Sequence, residues 1–485
     1  MDLASNTAAG SREDAIARAT AYIDDGRLEA ELATLVAIPT ESQIPEGQPH
    51  CRRYLDEAMI PAFKAMGFDT QVFENPVAGL GPVLLASRHE SDDVPTVLGY
   101  GHGDVIRGLD ASWTKGEGPW VLARDGDRLY GRGTADNKGQ HLLNMRAMEA
   151  AMASRGGKLG FNAKVMIETG EETGCVGLAE IIEANRDAFG ADVFIGSDGP
   201  RVNPNRPTVS LGNRGAMNFD LVCDLREGGH HSGNWGGALA DPAAVLAHAI
   251  ATIVSPTGQI KVPEWRPEPI RNIVRELLGN VTLDGGEGGP QVDPDWGEPG
   301  LTPAENVYAW NSFAVLAMVA GFPDSPVNAI APYARAHCQL RFILGTDADD
   351  IMPALTRHLE AEGFGGSVRV EAPHAANTGG FGAARTEPDH PWAMWVRSSF
   401  ERTMGEPPAV IPQTGGSICT DLFTETLGMP AIWLPHSYGG CSQHAPDEHV
   451  LVPVFRSALE LMAGLYWDLG EPGTPPLKGR GGAAA

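Results

Sequence analysis

Long apolar runs are missing from this chain. No stretch approaches the roughly 20 residues that span a bilayer, and Met1–Arg18 is polar and Ala-rich, without the basic stretch and apolar segment of a secretory signal. Cysteine is scarce and scattered: Cys51, Cys175, Cys223, Cys338, Cys419 and Cys441 show no CxxC spacing. They read as free thiols in a reducing compartment, not as a disulfide frame. Basic residues are few as well. Thirty-six Lys and Arg stand against 62 Asp and Glu, a net charge of −26. A surface that acidic repels phosphate backbones and anionic lipid, so neither a nucleic-acid partner nor a membrane partner is expected. A soluble, cytoplasmic protein is the expectation.

What is present is ordinary globular material: 485 residues, 42% hydrophobic and 20% charged, enough for two or three domains. Asp14–Val36 and Arg52–Met66 pattern as helices, followed by short β-rich runs at Val83–Ser87, Thr96–Tyr100, Lys164–Ile167 and Val193–Gly196. Gln140–Met152 and Gly177–Ala184 between them look helical, so the first two hundred residues read as an α/β sheet with helices on its faces. After Pro207 the texture changes. Thr208–Leu211, Met217–Leu225 and Ala334–Ile343 alternate like half-exposed strands around a helix at Pro242–Ile253. That suits an α+β layer, interrupted by a Gly/Pro/acidic loop at Leu283–Asn306. From Pro391 the first texture returns, with helices at Pro391–Met404 and Val452–Leu469 around a strand at Ala431–Leu434. A smaller domain at 208–380 is therefore expected inside a larger one formed by 1–207 and 381–485, with a disordered tail from Glu471.

Four strand ends in the first unit finish on imidazole or carboxylate side chains. Thr96–Tyr100 leads to Gly101-His102-Gly103-Asp104, and Leu129-Tyr130 to Gly131-Arg132-Gly133-Thr134-Ala135-Asp136. Lys164–Ile167 leads to Glu168-Thr169-Gly170-Glu171-Glu172, and Val193–Ile195 to Gly196-Ser197-Asp198. Functional groups in an open α/β sheet gather beyond the carboxyl ends of its strands. A histidine and several carboxylates in one crevice repel unless a cation joins them. Mixed N/O ligation without thiolate suits Zn²⁺, Mn²⁺ or Co²⁺, and a shared carboxylate can bridge two such ions. Each motif alone is weak: His-x-Asp and Asp-Gly-Pro are common turn sequences. The Gly-x-Gly before Asp136 lacks the GxGxxG and Walker lysine spacings of nucleotide sites. The succession of four ends is the signal.

Gly101-His102-x-Asp104-Val105, Tyr130-Gly131-Arg132-Gly133-x-x-Asp136-x-Lys138-Gly139 and Glu171-Glu172-Thr173-Gly174 together resemble the M20 family of metallopeptidases. His231-Ser232-Gly233, Gly415-Gly416-Ser417 and Ser442-Gln443-His444-Ala445-Pro446-x-Glu448 extend the likeness across about Glu31–Leu469. The resemblance implies a mixed-sheet α/β catalytic domain of the zinc-peptidase type, with an inserted, ferredoxin-like α+β domain serving as lid and dimerisation surface. It implies two divalent ions, zinc foremost, with manganese or cobalt as alternatives. His102 and Asp198 would hold one, Glu172 and His444 the other, and Asp136 would bridge them. Asp104 would orient the His102 imidazole, and Glu171 would be the general base.

His231 would reach into the active site of the partner subunit in a homodimer, its neighbour His230 being the alternative. Arg341, Asn328, Gly416 and Ser417 would contact substrate. Two positions depart from the common family pattern: Ile106-Arg107 follows Val105, and Asp198 stands where desuccinylases and glutamate carboxypeptidases carry Glu, a pointer to the dipeptidase and aminoacylase branch. The expected activity is hydrolysis of an amide bond beside a free carboxylate, in a dipeptide or in an N-acyl amino acid. A non-catalytic peptide-binding relative would lack Glu171 or a ligand, and a two-metal phosphoesterase would need basic phosphate clamps; this sequence fits neither.

Overall fold

A computed structural model describes residues 10–283, 290–374 and 380–477. Eight strands form the principal sheet: β1 (Asp69–Phe73), β2 (Val83–Arg88), β3 (Thr96–His102), β4 (Asn162–Glu168), β5 (Val193–Gly196), β6 (Thr208–Ser210), and, after a second sheet described below, β11 (Ala409–Ile411) and β12 (Ala431–Trp433). Their order is β1-β2-β4-β3-β5-β12-β6-β11. The four central strands, β4, β3, β5 and β12, run parallel, so their carboxyl ends share one edge. β1 and β2 join antiparallel on one side, and β6 meets β12 antiparallel on the other.

Helices cover both faces, as central parallel strands require. On one face lie α1 (Arg12–Asp24), α2 (Lys138–Ser154), and the two last helices described below; Leu142, Ala147, Ala163, Val165, Phe455 and Leu459 pack together there with no or almost no exposure. The other face buries Tyr100, Ile182, Phe194, Phe423 and Trp433.

The second sheet is built from β7 (Gly215–Asp224), β8 (Ser312–Ala320), β9 (Tyr333–Phe342) and β10 (Arg369–Glu371), all antiparallel, in the order β8-β9-β7-β10. Burial alternates along every residue of β9, the signature of a sheet with one covered face. The cover is α3 (Pro242–Ile253) and α4 (Ile351–Ala361), which contribute Leu246, Ala249, Ile253 and Leu355 to a separate core. The chain thus carries a smaller α+β unit within an α/β unit. It then returns through α5 (Pro391–Met404) and ends on α6 (Val452–Leu469). Buried Asp468 at the end of α6 accepts from Arg12 Nε at 3.0 Å and Ser399 Oγ at 2.6 Å, tying α1, α5 and α6 together.

Several sequence expectations change in detail. The helix expected over Asp14–Val36 is two, Arg12–Asp24 and Arg27–Val36, divided at Gly26, whose φ of 78° lies outside the helical region. The helix expected over Arg52–Met66 starts earlier, at Gln48, and takes a π-turn at Tyr54–Met59 just ahead of Pro61, which has no N–H to give. Thr208–Ser210 is not a half-exposed strand of the inserted layer: it is fully buried in the principal sheet, parallel to β11. Leu129-Tyr130 belongs to neither large sheet but to a three-stranded one, with Ala123–Asp125 and His449–Leu451. Within the loop expected at Leu283–Asn306, residues 284–289 lie outside those described, and its end is already helical from Pro303. The expected tail disorder falls largely on 478–485, also outside the described residues.

Trp433 closes β12 with no exposed surface, edge-on to Tyr100 and Phe194 at ring separations of 5.2 and 4.7 Å, its indole N–H donating to Thr420 Oγ1 at 2.9 Å. Trp433→Ala should cost about 3–5 kcal/mol of stability, measured by urea denaturation against the unaltered protein. A loss under about 1 kcal/mol would mean that this side chain does not anchor the central strands.

Candidate active site

The carboxyl edge of the parallel strands gathers the acids. β3 ends on His102, β4 runs through Glu168 into a 3₁₀ turn at Glu171–Thr173, and β5 ends two residues before Asp198. Asp136 arrives from the loop that opens α2, and His444 from the loop between β12 and α6. The glycines flanking His102 have a packing reason. A Cβ on Gly101 would lie 2.4 Å from the His141 side chain, and one on Gly103 would lie 2.5 Å from the Tyr54 ring. Neither neighbour can retreat, since both are fully buried and their polar atoms bond each other at 2.6 Å.

Asp136 is the hub. Its Oδ1 lies 2.8 Å from His102 Nε2, and its Oδ2 lies 3.1 Å from His444 Nε2. His102 Nε2 is also 3.7 Å from Asp198 Oδ2, and His444 Nε2 is 3.1 Å from Glu172 Oε2. Donor atoms of three groups fall within 4.8 Å of one another: His102 with Asp136 and Asp198, Asp136 with Glu172 and His444, and His102 with Glu171 and Glu172. Asp104 lies against the imidazole, its Oδ1 3.5 Å from His102 Nδ1, and braces a second element as well. Its carbonyl accepts from His102 Nδ1 at 3.0 Å, while its carboxylate takes the backbone N–H groups of Glu171 and Glu172 at 3.3 and 3.1 Å. It therefore holds the glutamate turn against β3.

These acids crowd a place with little water. Burial, followed by the charge of Asp136, pushes the Glu172 carboxyl up to about 7 and that of Asp198 up to about 6. Burial raises Glu171 well above the usual carboxylate range. Asp136 moves the other way: burial opposes its charge, but bonds to His102 and His444 outweigh it and hold it low. Bonds to Asp136 and Glu172 lift His444 to about 11. Nearby cations do not join in: Lys138 gives its ammonium to the carbonyls of Leu35 and Ile38, and Arg132 pairs with Glu448 at 2.7 Å. Among the described residues Asp198 Oδ2, which is buried, finds no hydrogen-bond partner. An orphaned carboxylate oxygen amid N/O donors, with Lys138 and Arg132 engaged elsewhere, fits divalent cations.

A cavity of about 550 Å³ opens on Asp136, Glu171, Glu172, Asp198 and His444. Its lining also includes Asn218, Gln339 and Arg341 from β7 and β9, the turn Gly415–Ser417, and apolar Val307, Tyr308 and Ile411. Arg341 is steadied by Gln339 Oε1 at 2.9 Å and Ser417 Oγ at 2.8 Å. Ser417 donates its own hydroxyl to the Arg214 carbonyl, so toward a ligand it can only accept. A five-residue π-turn, Leu422–Thr426, follows this turn, and the Gly415 carbonyl accepts from Arg214.

His231 and Asn328 are not brought to this cavity. Both are exposed on the inserted unit, where His230–His231 pairs with Ala329–Ile330. The loop Gly108–Trp120 contributes no lining residue, whereas Val307 and Tyr308 come directly after the loop expected at Leu283–Asn306. Sequence reasoning missed Gln443, whose amide donates to Asp136 Oδ2 at 2.5 Å, and gave no task to Glu448. Adjacency to His444 was the available signal for both.

The raised Asp198 carboxyl has a consequence for metal-free protein. Its proton is held more tightly folded, up to about 6, than unfolded, near 3.8. Protonation therefore favours the native state, and this contribution drains away as pH rises through that window. In chelator, the stability of Asp198→Asn relative to the unaltered protein should climb from pH 4 to pH 6 and then level off. Paired thermal melts test this; a difference independent of pH would contradict the burial of this charge.

Comparison with known proteins gives the site its family. The model of peptidase family M20/M25/M40 matches residues 98–468. A cysteinylglycine-S-conjugate dipeptidase of Corynebacterium striatum is 28% identical over 409 residues, 81% of this chain and 84% of its own. The Beta-Ala-His dipeptidase of Homo sapiens is 36% identical over 188 residues, 38% of this chain and 36% of its own. Among solved structures, the di-peptidase Dug1p of Saccharomyces cerevisiae superposes with a TM-score of 0.77 at 19% identity, covering 96% of this chain and all of that one. With the match running from within the His102 strand to the last helix, this chain belongs to peptidase family M20/M25/M40 and is a peptidase.

Proposed function

We propose that this peptidase is a dipeptidase working with two divalent ions. The observation that carries the reading is the position of Asp136, whose two oxygens face His102 on one side and His444 on the other. His102 and Asp198 would hold one ion and Glu172 and His444 the other, with Asp136 shared. Bound there, zinc, or manganese or cobalt, polarises the scissile carbonyl and acidifies the attacking water.

The chain's own residues supply the rest. Glu171, beside Glu172 yet outside the Asp136–His444 contacts, takes the proton from the water and returns it to the leaving amine. Arg341, held by Gln339 and Ser417, keeps donors for the substrate's terminal carboxylate. Gly416 adds a wall of the same turn. The relatives' dipeptidase activities favour a dipeptide over an N-acyl amino acid. The six cysteines, all free and buried, suit a reducing, cytoplasmic setting, and no helix among the described residues is long and apolar enough to cross a membrane.

The reading also includes a homodimer, formed through the segment 208–380 apart from β6. β8 is an edge strand of the second sheet, and Val315, Leu316, Met318 and Val319 on it are 37–53% exposed. An edge of unpaired backbone with apolar side chains is a template for a second strand. Pairing with another copy would cover it and give exposed His231 a neighbour's cavity to enter.

Two experiments test these parts separately. Glu171→Gln cannot accept a proton, so kcat on a dipeptide should fall roughly 10²–10⁴-fold while elemental analysis still finds two ions per chain. Loss of metal from that variant, with Glu172→Gln keeping it, would reverse the two roles. For the dimer, co-expressing His231→Ala and Glu171→Gln chains should restore up to roughly a quarter of the activity, because half of randomly paired dimers are mixed and each contains one intact site. Mixed dimers no more active than either parent would confine His231 to its own chain.

A further inference from the structure

Glu448 lies outside the set of acids around Asp136, yet it is 1% exposed and fully engaged. One oxygen accepts from Arg132 Nη1 at 2.7 Å and from the Gly133 N–H at 3.0 Å. The other accepts from the N–H groups of Ala135 and Asp136 at 2.8 and 3.0 Å. Four donors fill the lone pairs of a carboxylate, and three of them are backbone groups of the loop that ends on Asp136. The Glu448 carbonyl binds that segment as well, accepting from Gly131 N–H at 3.0 Å.

The loop that carries Glu448 also carries His444. Ser442, His444 and Asp447 have φ values of 56°, 60° and 61°, left-handed conformations that non-glycine residues keep only where the surroundings impose them. Asp447 is pinned in turn by Thr114, through its N–H at 2.8 Å and its hydroxyl at 2.6 Å. One rigid loop thus presents His444 to the cavity and, four residues later, clamps the backbone of Asp136.

We propose that Glu448 is a positioning residue that fixes Asp136 relative to His444 and thereby sets the affinity of the ion those two would share with Glu172. This rests on the two-metal reading above. The carboxylate is needed as such, because a glutamine of the same shape would turn an NH₂ group onto donors. A side chain serving the fold alone would weaken the molecule without singling out one ion.

The test is calorimetric titration of chelator-stripped full-length protein with Mn²⁺, alongside circular dichroism and dipeptidase kinetics. Unaltered protein should take up two ions. Glu448→Gln, with an unchanged spectrum, should bind one normally and the other about 10–100-fold more weakly. Its kcat at low Mn²⁺ should fall and recover in excess Mn²⁺, with KM little changed. If Glu448→Gln does not fold, the double variant Arg132→Met/Glu448→Leu, which replaces the buried pair by apolar side chains, should show the same selective loss. Two ions bound at unaltered affinity, or both weakened equally, in whichever variant folds would overturn the proposal; so would failure of both to fold, which would make the residue structural. Unaltered protein that binds no ion would overturn the two-metal reading itself.

Discussion

Like charges repel, and this protein keeps four carboxylates, Asp136, Glu171, Glu172 and Asp198, around two imidazoles at one sheet edge. Two unit charges 4 Å apart near a protein surface interact by about 4 kcal/mol, so such a group disperses unless its backbone is pinned. The pinning is visible at each acid. Asp104 takes the N–H groups of Glu171 and Glu172, Glu448 takes that of Asp136, and the Gly199 N–H donates to Asp198 at 2.6 Å. Oriented N–H dipoles add partial positive charge without placing a lysine or arginine where a cation would sit. Lys138 and Arg132, which flank Asp136 in sequence, are tied to carbonyls and to Glu448 instead. Positive charge at the hub is left to the two imidazoles or to a bound cation, matching the donor chemistry of the site.

The strand ends at His102, Glu171–Glu172 and Asp198 were legible in the sequence because each is local: an apolar run, a glycine, then an acid or imidazole. Parallel pairing of β4, β3 and β5 turns that local regularity into a shared edge. The ends of long-range pairings left no such mark. Leu129-Tyr130 reads like another central strand, yet it pairs with His449–Leu451, more than three hundred residues away. Thr208–Ser210 is three residues long, too short for burial alternation to separate a central strand from an edge. Glu448 was visible as part of a motif, but its partners at 132–136 are fixed only by the fold. Asp104 stands two residues from His102 and lies against its imidazole, but the second task of its carboxylate, on the glutamate turn sixty-odd residues down the chain, had no local mark.

The cavity is a joint product of both sheets, so the geometry between them matters as much as the acid cluster. Asn218, Gln339 and Arg341 come from the inserted layer, the acids from the principal sheet. The two chain crossings between the layers pair with each other, Gly212–Asn213 against Ala384–Arg385. Just beyond, Arg214 donates to the Gly415 carbonyl through Nε and Nη2 at 3.1 and 3.0 Å, and Gln413 donates to Asn213 O at 2.8 Å. Stitching at the crossings limits how far Arg341 can drift from the acids.

That stitching also bears on Arg341 itself. Burial lowers its pKa, and Arg214, a second buried guanidinium, lies close enough for its own pKa to be lowered by burial and then by the Arg341 charge, to about 10. Two cations side by side are unfavourable unless an anion is drawn to them. Arg214 has committed its donors to carbonyls and to Ser312, so it acts as a fixed positive field behind Arg341. The cavity is therefore lined by groups of both signs, the acid cluster from the principal sheet and Arg341, with buried Arg214 close by, from the inserted layer. A small molecule that carries a carboxylate as well as donors for a cation would meet groups of both kinds. The apolar wall of Val307, Tyr308 and Ile411 leaves the side chains of such a molecule to be selected by shape.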